Sequence, residues 1–144
     1  MSKKTRYKIL LAVKDYVNFK ALAHFLEKLT GDIEIVFLHI VEFPFSTSLY
    51  PETISTYIEE TKKNLANLLD WARAQGISAE LKVTASRDVV EAIMNEADRM
   101  DADMIVLQKS LKKIKRKIRR LVRQTNLEKV VDLSKRIVVL LPTD

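Results

Sequence analysis

Short apolar runs alternate with longer amphipathic stretches from one end of the chain to the other. Lys8–Val13 (KILLAV) is apolar and rich in branched residues, which predicts a buried strand. Asn18–Thr30 follows with Phe19, Leu22, Ala23, Leu26 and Leu29 at helical spacing, and Gly31 is placed to cap that helix. Ile33–Val41 (IEIVFLHIV) predicts a second strand, and Glu42–Glu52, with Pro44 and Pro51, a loop. Thr53–Gln75 reads as one long helix carrying Ile54, Tyr57, Ile58, Leu65, Leu68, Leu69 and Ala72, and Gly76 ends it. Ala79–Ala85 alternates Leu81 and Val83 with Glu80, Lys82 and Thr84, the pattern of an edge strand with one wet face. Asp88–Met100 predicts a further helix and Asp103–Gln108 (DMIVLQ) a fourth strand. Thr125–Leu133 opens on a capping box, with Thr125 as cap and Glu128 reaching back. Arg136–Leu141 (RIVVLL) is a fifth strand, stopped by Pro142.

Strands this far apart cannot pair as hairpins. They imply right-handed crossovers and a parallel sheet covered on both faces: a doubly wound, Rossmann-like α/β fold. Such sheets bind ligands beyond the carboxyl ends of their strands, where the strand order reverses.

The 144 residues and 16.6 kDa suit a single domain, 1–144. With 47% hydrophobic residues, 2 Gly and 3 Pro, the chain is neither disordered nor a linker. The absence of Cys excludes disulfides, cysteine nucleophiles, zinc fingers and iron–sulfur clusters. The two histidines, His24 and His39, argue against a histidine-built metal site. The longest apolar runs, Ile9–Val13 and Ile137–Leu141, are far too short to span a membrane, and residues 1–8 offer no signal peptide; the expectation is a cytoplasmic protein.

The net charge of +6 is concentrated in one place. Lys109, Lys112, Lys113, Lys115, Arg116, Lys117, Arg119, Arg120 and Arg123 fall within 15 residues that contain no acid, while the rest of the chain carries a balance of −3. Leu111, Ile114, Ile118, Leu121 and Val122 recur at helical spacing, so the segment reads as an amphipathic helix. Its like-charge neighbours, six pairs at i,i+4 and six at i,i+3, repel one another. The sum is on the order of 2–6 kcal/mol at low salt. Packing of the apolar stripe, acidic neighbours or a bound polyanion must offset this. The run holds no aromatic residue, so nucleic acid would be held through phosphates alone; an acidic protein or an anionic membrane surface fits equally.

Several pieces taken together, in order and spacing, resemble the universal stress protein family: KILLAV, LHIVE (Leu38–Glu42), DVVEAI through DADMIVL (Asp88–Leu107) and EKVV through RIVVLL (Glu128–Leu141). The resemblance implies a five-stranded sheet in the order 3-2-1-4-5, a homodimer built through Ile137–Leu141, a role in stress survival and, in one branch, ATP binding. That branch carries G-x2-G-x9-G followed by Ser or Thr after strand four, because bare backbone lets N–H groups close on phosphates. Here the glycine positions fall on Gln108, Leu111 and Gln124, with Thr125 at the hydroxyl position; Gly31 and Gly76 are helix stops. Strict register puts Lys14 at the family's acid after strand one, with Asp15 one residue late, and Ile40 at the position whose backbone meets adenine. His39 matches a common family histidine and reads as a hydrogen-bonded strand-end residue.

The nucleotide-site candidates are therefore Lys14, Asp15, Ile40 and Thr125, in a degenerate site expected not to hold ATP in the usual mode. No cofactor, metal or catalytic residue is assigned, because the chain has no Ser–His–Asp order, zinc-helix motif or Walker loop. Trp71 reads as packing, His24 as a solvent-facing residue, and Glu96, Asp98, Asp101 and Asp103 as a solvated turn. The wholly apolar fifth strand would be an edge in this order and needs a covering partner strand. The reading is a regulatory or protective homodimer that is not an enzyme. One alternative is a module docking an anionic partner through 109–123; another is an ATP-binding or slowly hydrolysing member.

Overall fold

The computed structural model describes residues 6–14, 17–42, 51–109 and 136–143. Five strands, β1 (Arg6–Val13), β2 (Asp32–Glu42), β3 (Ser78–Ser86), β4 (Met104–Lys109) and β5 (Ile137–Pro142), form one parallel sheet in the order β3-β2-β1-β4-β5. Among the described residues four helices accompany them: α1 (Phe19–Leu26), α2 (Pro51–Asn64), α3 (Asn67–Ala74) and α4 (Val89–Met100). The doubly wound architecture expected from the alternating pattern is the one observed.

β1 is the centre of the sheet. Ile9, Leu10 and Leu11 pair with Ile35, Val36 and Phe37 on one side and with Met104, Ile105 and Val106 on the other. All three are fully buried, as expected of a strand covered on both faces. Alternate residues feed two cores. Ile9, Leu11 and Phe37 pack with Leu22 and Leu26 of α1 and with Leu68 and Ala72 of α3. Leu10, Val36, Ile105 and Leu107 pack on the opposite face with Val90, Ile93 and Ala97 of α4. Trp71 lies 5.0 Å from Phe19, ring centre to ring centre, which joins α3 to α1 as packing.

Several local expectations are corrected. The single helix over Thr53–Gln75 is two helices, and it starts at Pro51, which is tolerated at a first helical position. At the break, Ala66, Leu68 and Leu69 donate to residues three back, Lys63, Leu65 and Ala66. No glycine or proline stands there. The cause is packing: α3 turns Leu68 and Ala72 into the core, while no residue of α2 belongs to either core cluster. Helix α1 ends at Leu26, earlier than its apolar stripe suggests. Lys28 and Leu29 donate to Phe25 and Leu26 in a tightened last turn. Gly31 therefore does not cap it; with φ of 145° it turns the chain into β2. Gly76, at φ 72°, does end α3. Lys109 is the last residue of β4 rather than part of a basic helix, and Pro142 is the last residue of β5, in register with Lys109. The remainder of the basic segment and the capping box at Thr125 lie outside the described residues.

Candidate functional site

The strand order reverses between β1 and β4, so the crevice that this fold offers lies beyond their carboxyl ends. Lys14 leaves β1 there and is exposed. Ile40 sits near the end of β2, half-buried and in register with Thr84. Asp15, Thr125 and the cations 112–123 lie outside the described residues, so of the four nucleotide-site candidates only Lys14 and Ile40 are placed. His39 Nδ1 stands 2.8 Å from the carbonyl oxygen of Val13. A carbonyl only accepts, so Nδ1 carries a hydrogen, and the ring ties the ends of β1 and β2 together as expected.

At the first glycine position, Gln108 is half-buried and its Oε1 accepts from the backbone N–H of Asn18 at 3.3 Å. Asn18 is the N-cap of α1: its Oδ1 accepts from the Ala21 N–H at 3.1 Å, satisfying one of the helix's orphan donors. Its Nδ2 donates to the carbonyl of Pro142 at 3.2 Å. One asparagine thus joins the start of α1 to the ends of β4 and β5. The sequence carries the capping signal, Asn before a helical stripe, but nothing that announces the two bonds to residues about a hundred positions away.

Of the acid group around the end of α4, Asp98, Asp101 and Asp103 are exposed, as expected of a solvated turn, and Glu96 is the exception. Glu96 is only 6% exposed and faces Lys82 Nζ at 2.7 Å and the Arg99 guanidinium, whose Nε donates at 3.1 and 3.0 Å. It lies along a groove of about 600 Å³ between β3 and α4 that Thr84, Ser86 and Asn95 also line. Asp98 accepts from Arg136 at 2.7 Å, and Asp103 accepts from the Lys8 N–H at 2.8 Å while its own N–H donates to the Lys8 carbonyl. The acids are taken up because the sheet brings Lys8, Lys82 and Arg136 to them; only the Glu96–Arg99 spacing of three was visible locally.

Donation by Arg99 holds the Glu96 carboxyl below its ordinary 4.5; burial opposes this, and Lys82 adds to the lowering. A depressed carboxyl contributes stability that is fully present above the ordinary value and fades as pH falls through the folded one. The stability-versus-pH curve of Glu96→Gln, from urea unfolding between pH 3 and 7, is therefore expected to be flatter on its acid side than that of the parent. Parallel curves overturn this assignment.

Among the described residues no group of three or more His, Asp or Glu is placed to hold a metal ion, and no helix is long and apolar enough to cross a membrane. His24 is exposed on α1.

Solved structures with this fold include a universal stress protein family protein from Arabidopsis thaliana with AMP bound (22% identity, 96% of this chain and 92% of that one, TM-score 0.61). Another is the universal stress protein from Archaeoglobus fulgidus in complex with dAMP (17% identity, 94% and 97%, TM-score 0.59). A third is a universal stress protein family member from Burkholderia pseudomallei (16% identity, 94% and 96%, TM-score 0.62). No curated protein sequence matches significantly. The model of the universal stress protein family matches residues 6–142. That match runs from the first residue of β1 to the last of β5 and leaves no element of the sheet outside it, and the chain belongs to the universal stress protein family.

Proposed function

We propose that this universal stress protein acts by binding rather than catalysis, as a cytoplasmic homodimer paired along β5, in a regulatory or protective role, and that it does not hold ATP in the glycine-cradled manner. The observation that carries the reading is Gln108. A phosphate cradle needs backbone without side chains, and here the side chain at the cradle's first position is bonded to the N–H of Asn18. That N–H opens α1, the kind of donor a phosphate would seek, and it is already engaged. Isothermal titration with ATP and magnesium is expected to give no binding heat at millimolar nucleotide. ATP in near-stoichiometric amount, released on denaturing the purified protein, overturns the reading.

The dimer is supported by the edge itself. Among the described residues β5 ends the sheet, and Ile137 and Leu140 are 61% and 44% exposed, a combination that invites pairing with another strand. Adenine-side recognition is a second reading, favoured by the AMP and dAMP in solved relatives and by the backbone position at Ile40. A monophosphate asks less of a cradle than a triphosphate does, so AMP is the nucleotide that distinguishes this reading in the same titration. The nine cations of 109–123 remain a proposed docking segment for an anionic partner.

A further inference from the structure

We infer that the groove between β3 and α4 binds a phosphorylated polyol, a sugar monophosphate or a molecule like it, with Lys82 and Arg99 holding the phosphate. The inference does not depend on the nucleotide crevice or on the dimer.

Two periodicities build the groove. Every second residue of a strand shares a face, which aligns Lys82, Thr84 and Ser86 on β3. Every fourth residue of a helix does the same, which aligns Glu91, Asn95 and Arg99 on α4. The rows run in opposite directions. Ser86 Oγ donates to the Asp88 carbonyl at the start of α4, and Lys82 Nζ reaches Glu96, about two turns later. Between the rows lies the cavity of about 600 Å³.

Its two ends differ in chemistry. At one end stands Glu96, the only buried charged residue among the described residues, which draws two cations together. Lys82 Nζ and Arg99 Nε bond the same oxygen, Oε2, at 2.7 and 3.0 Å. Like charges this close repel, and the carboxylate holds them. A buried ion triad adds little stability over packed apolar residues, so stability does not account for this one. Most N–H donors of the two cations are not spent on Glu96, and both side chains reach solvent. Glu80, on β3 outside the groove, also attracts Arg99. A compact ammonium beside a forked guanidinium suits a phosphate, which accepts from both. Towards the other end, Thr84, Ser86, Asn95 and Glu91 offer hydroxyl, amide and carboxylate groups, which exchange hydrogen bonds with the hydroxyls of a polyol. Arg87 and Asp88 also line this end, and Asp88 is engaged in capping α4 through the Glu91 N–H. No aromatic residue stands among the described lining residues, so a nucleobase finds no ring to stack on.

NMR titration of the isotope-labelled protein with glucose 6-phosphate tests the site. The amides of 82–86 and 91–99 are expected to shift, with a dissociation constant in the millimolar range or below. Glucose and inorganic phosphate, the two halves of the probe, are expected to bind about tenfold more weakly. Arg99→Gln leaves the Lys82–Glu96 pair and is expected to weaken glucose 6-phosphate and inorganic phosphate alike, about tenfold, the effect of one charge-assisted hydrogen bond. Asn95→Ala, at an exposed position where Ala suits a helix, is expected to weaken glucose 6-phosphate about threefold and leave inorganic phosphate unchanged. The spectra themselves show whether each variant is folded. Absence of shifts at millimolar probe overturns the site, as does equal binding by the parent and Arg99→Gln. Equal affinity for glucose 6-phosphate and inorganic phosphate overturns the polyol assignment. Shifts gathered at Lys14 and Ile40 instead place the phosphate in the nucleotide crevice, and shifts reproduced by sodium chloride at equal ionic strength report general screening; either result overturns the inference.

Discussion

Phe37→Ala is expected to lower the unfolding free energy by about 3–5 kcal/mol. Phe37 is fully buried and is the largest such side chain among the described residues. It stands at the middle of β2, in register with Leu11 of β1 and Leu81 of β3, and belongs to the cluster that α1 and α3 cover. Truncation removes the transfer free energy of the ring and leaves a cavity that close-packed neighbours fill only in part. A domain has roughly 5–15 kcal/mol in total, so the variant sits near the edge of folding. Urea denaturation at fixed protomer concentration reads the change, since an associating chain gains stability by mass action. Tyr57→Ala is the control: that ring is 56% exposed on α2, and its removal is expected to stay within about 0.5 kcal/mol. Similar losses in both variants would mean that the core is not where the burial places it.

If the proposed β5-paired dimer forms, Ile137→Glu is expected to convert it to a monomer over the whole micromolar range. Ile137 opens the edge strand and is 61% exposed, so in the isolated chain a carboxylate there is well hydrated and the fold tolerates it. In a twofold dimer the same residue enters from both copies, which doubles the effect. Burying a carboxylate without a partner typically costs 2–5 kcal/mol, and two of them about 4 kcal/mol or more, a rise in dissociation constant of about a thousandfold. Sedimentation velocity distinguishes the states directly. A variant that remains dimeric places the interface elsewhere, while one that loses its far-UV circular dichroism reports unfolding instead of dissociation.

The sheet was readable from the chain because each strand is a compact apolar run and each interval too long for a hairpin. KILLAV and MIVL can be little else when both faces of a strand must be covered. Edge character in β3 was visible in the alternation of Leu81 and Val83 with Lys82 and Thr84, and the strand-end bond of His39 followed from its place on β2. The proposed nucleotide site was legible only as an absence of glycine at the positions that the family resemblance implies. A missing cradle can be counted along the chain; what occupies its place cannot, because the bond from Gln108 to Asn18 and the bond from Asn18 to Pro142 join positions 90 and 124 residues apart. Thr53–Gln75 shows the same limit in a helix. Its periodicity continues through Leu65 and Ala66, and local propensity has no reason to stop there.

Which segments become strands and helices, and that they wind into a parallel sheet, follows from periodicity and spacing, since both are properties of neighbouring residues. The fate of the polar side chains was settled by assembly. Glu96 reads as part of a wet turn in the sequence, and the sheet carries Lys82 to it; Asp98 and Asp103 stay exposed yet gain Arg136 and the Lys8 backbone as partners, and Asn18 both caps α1 and meets β5. The physical reason is range: burial pattern acts along a few residues, whereas a hydrogen bond or an ion pair needs a partner within about 3 Å, wherever in the chain that partner begins.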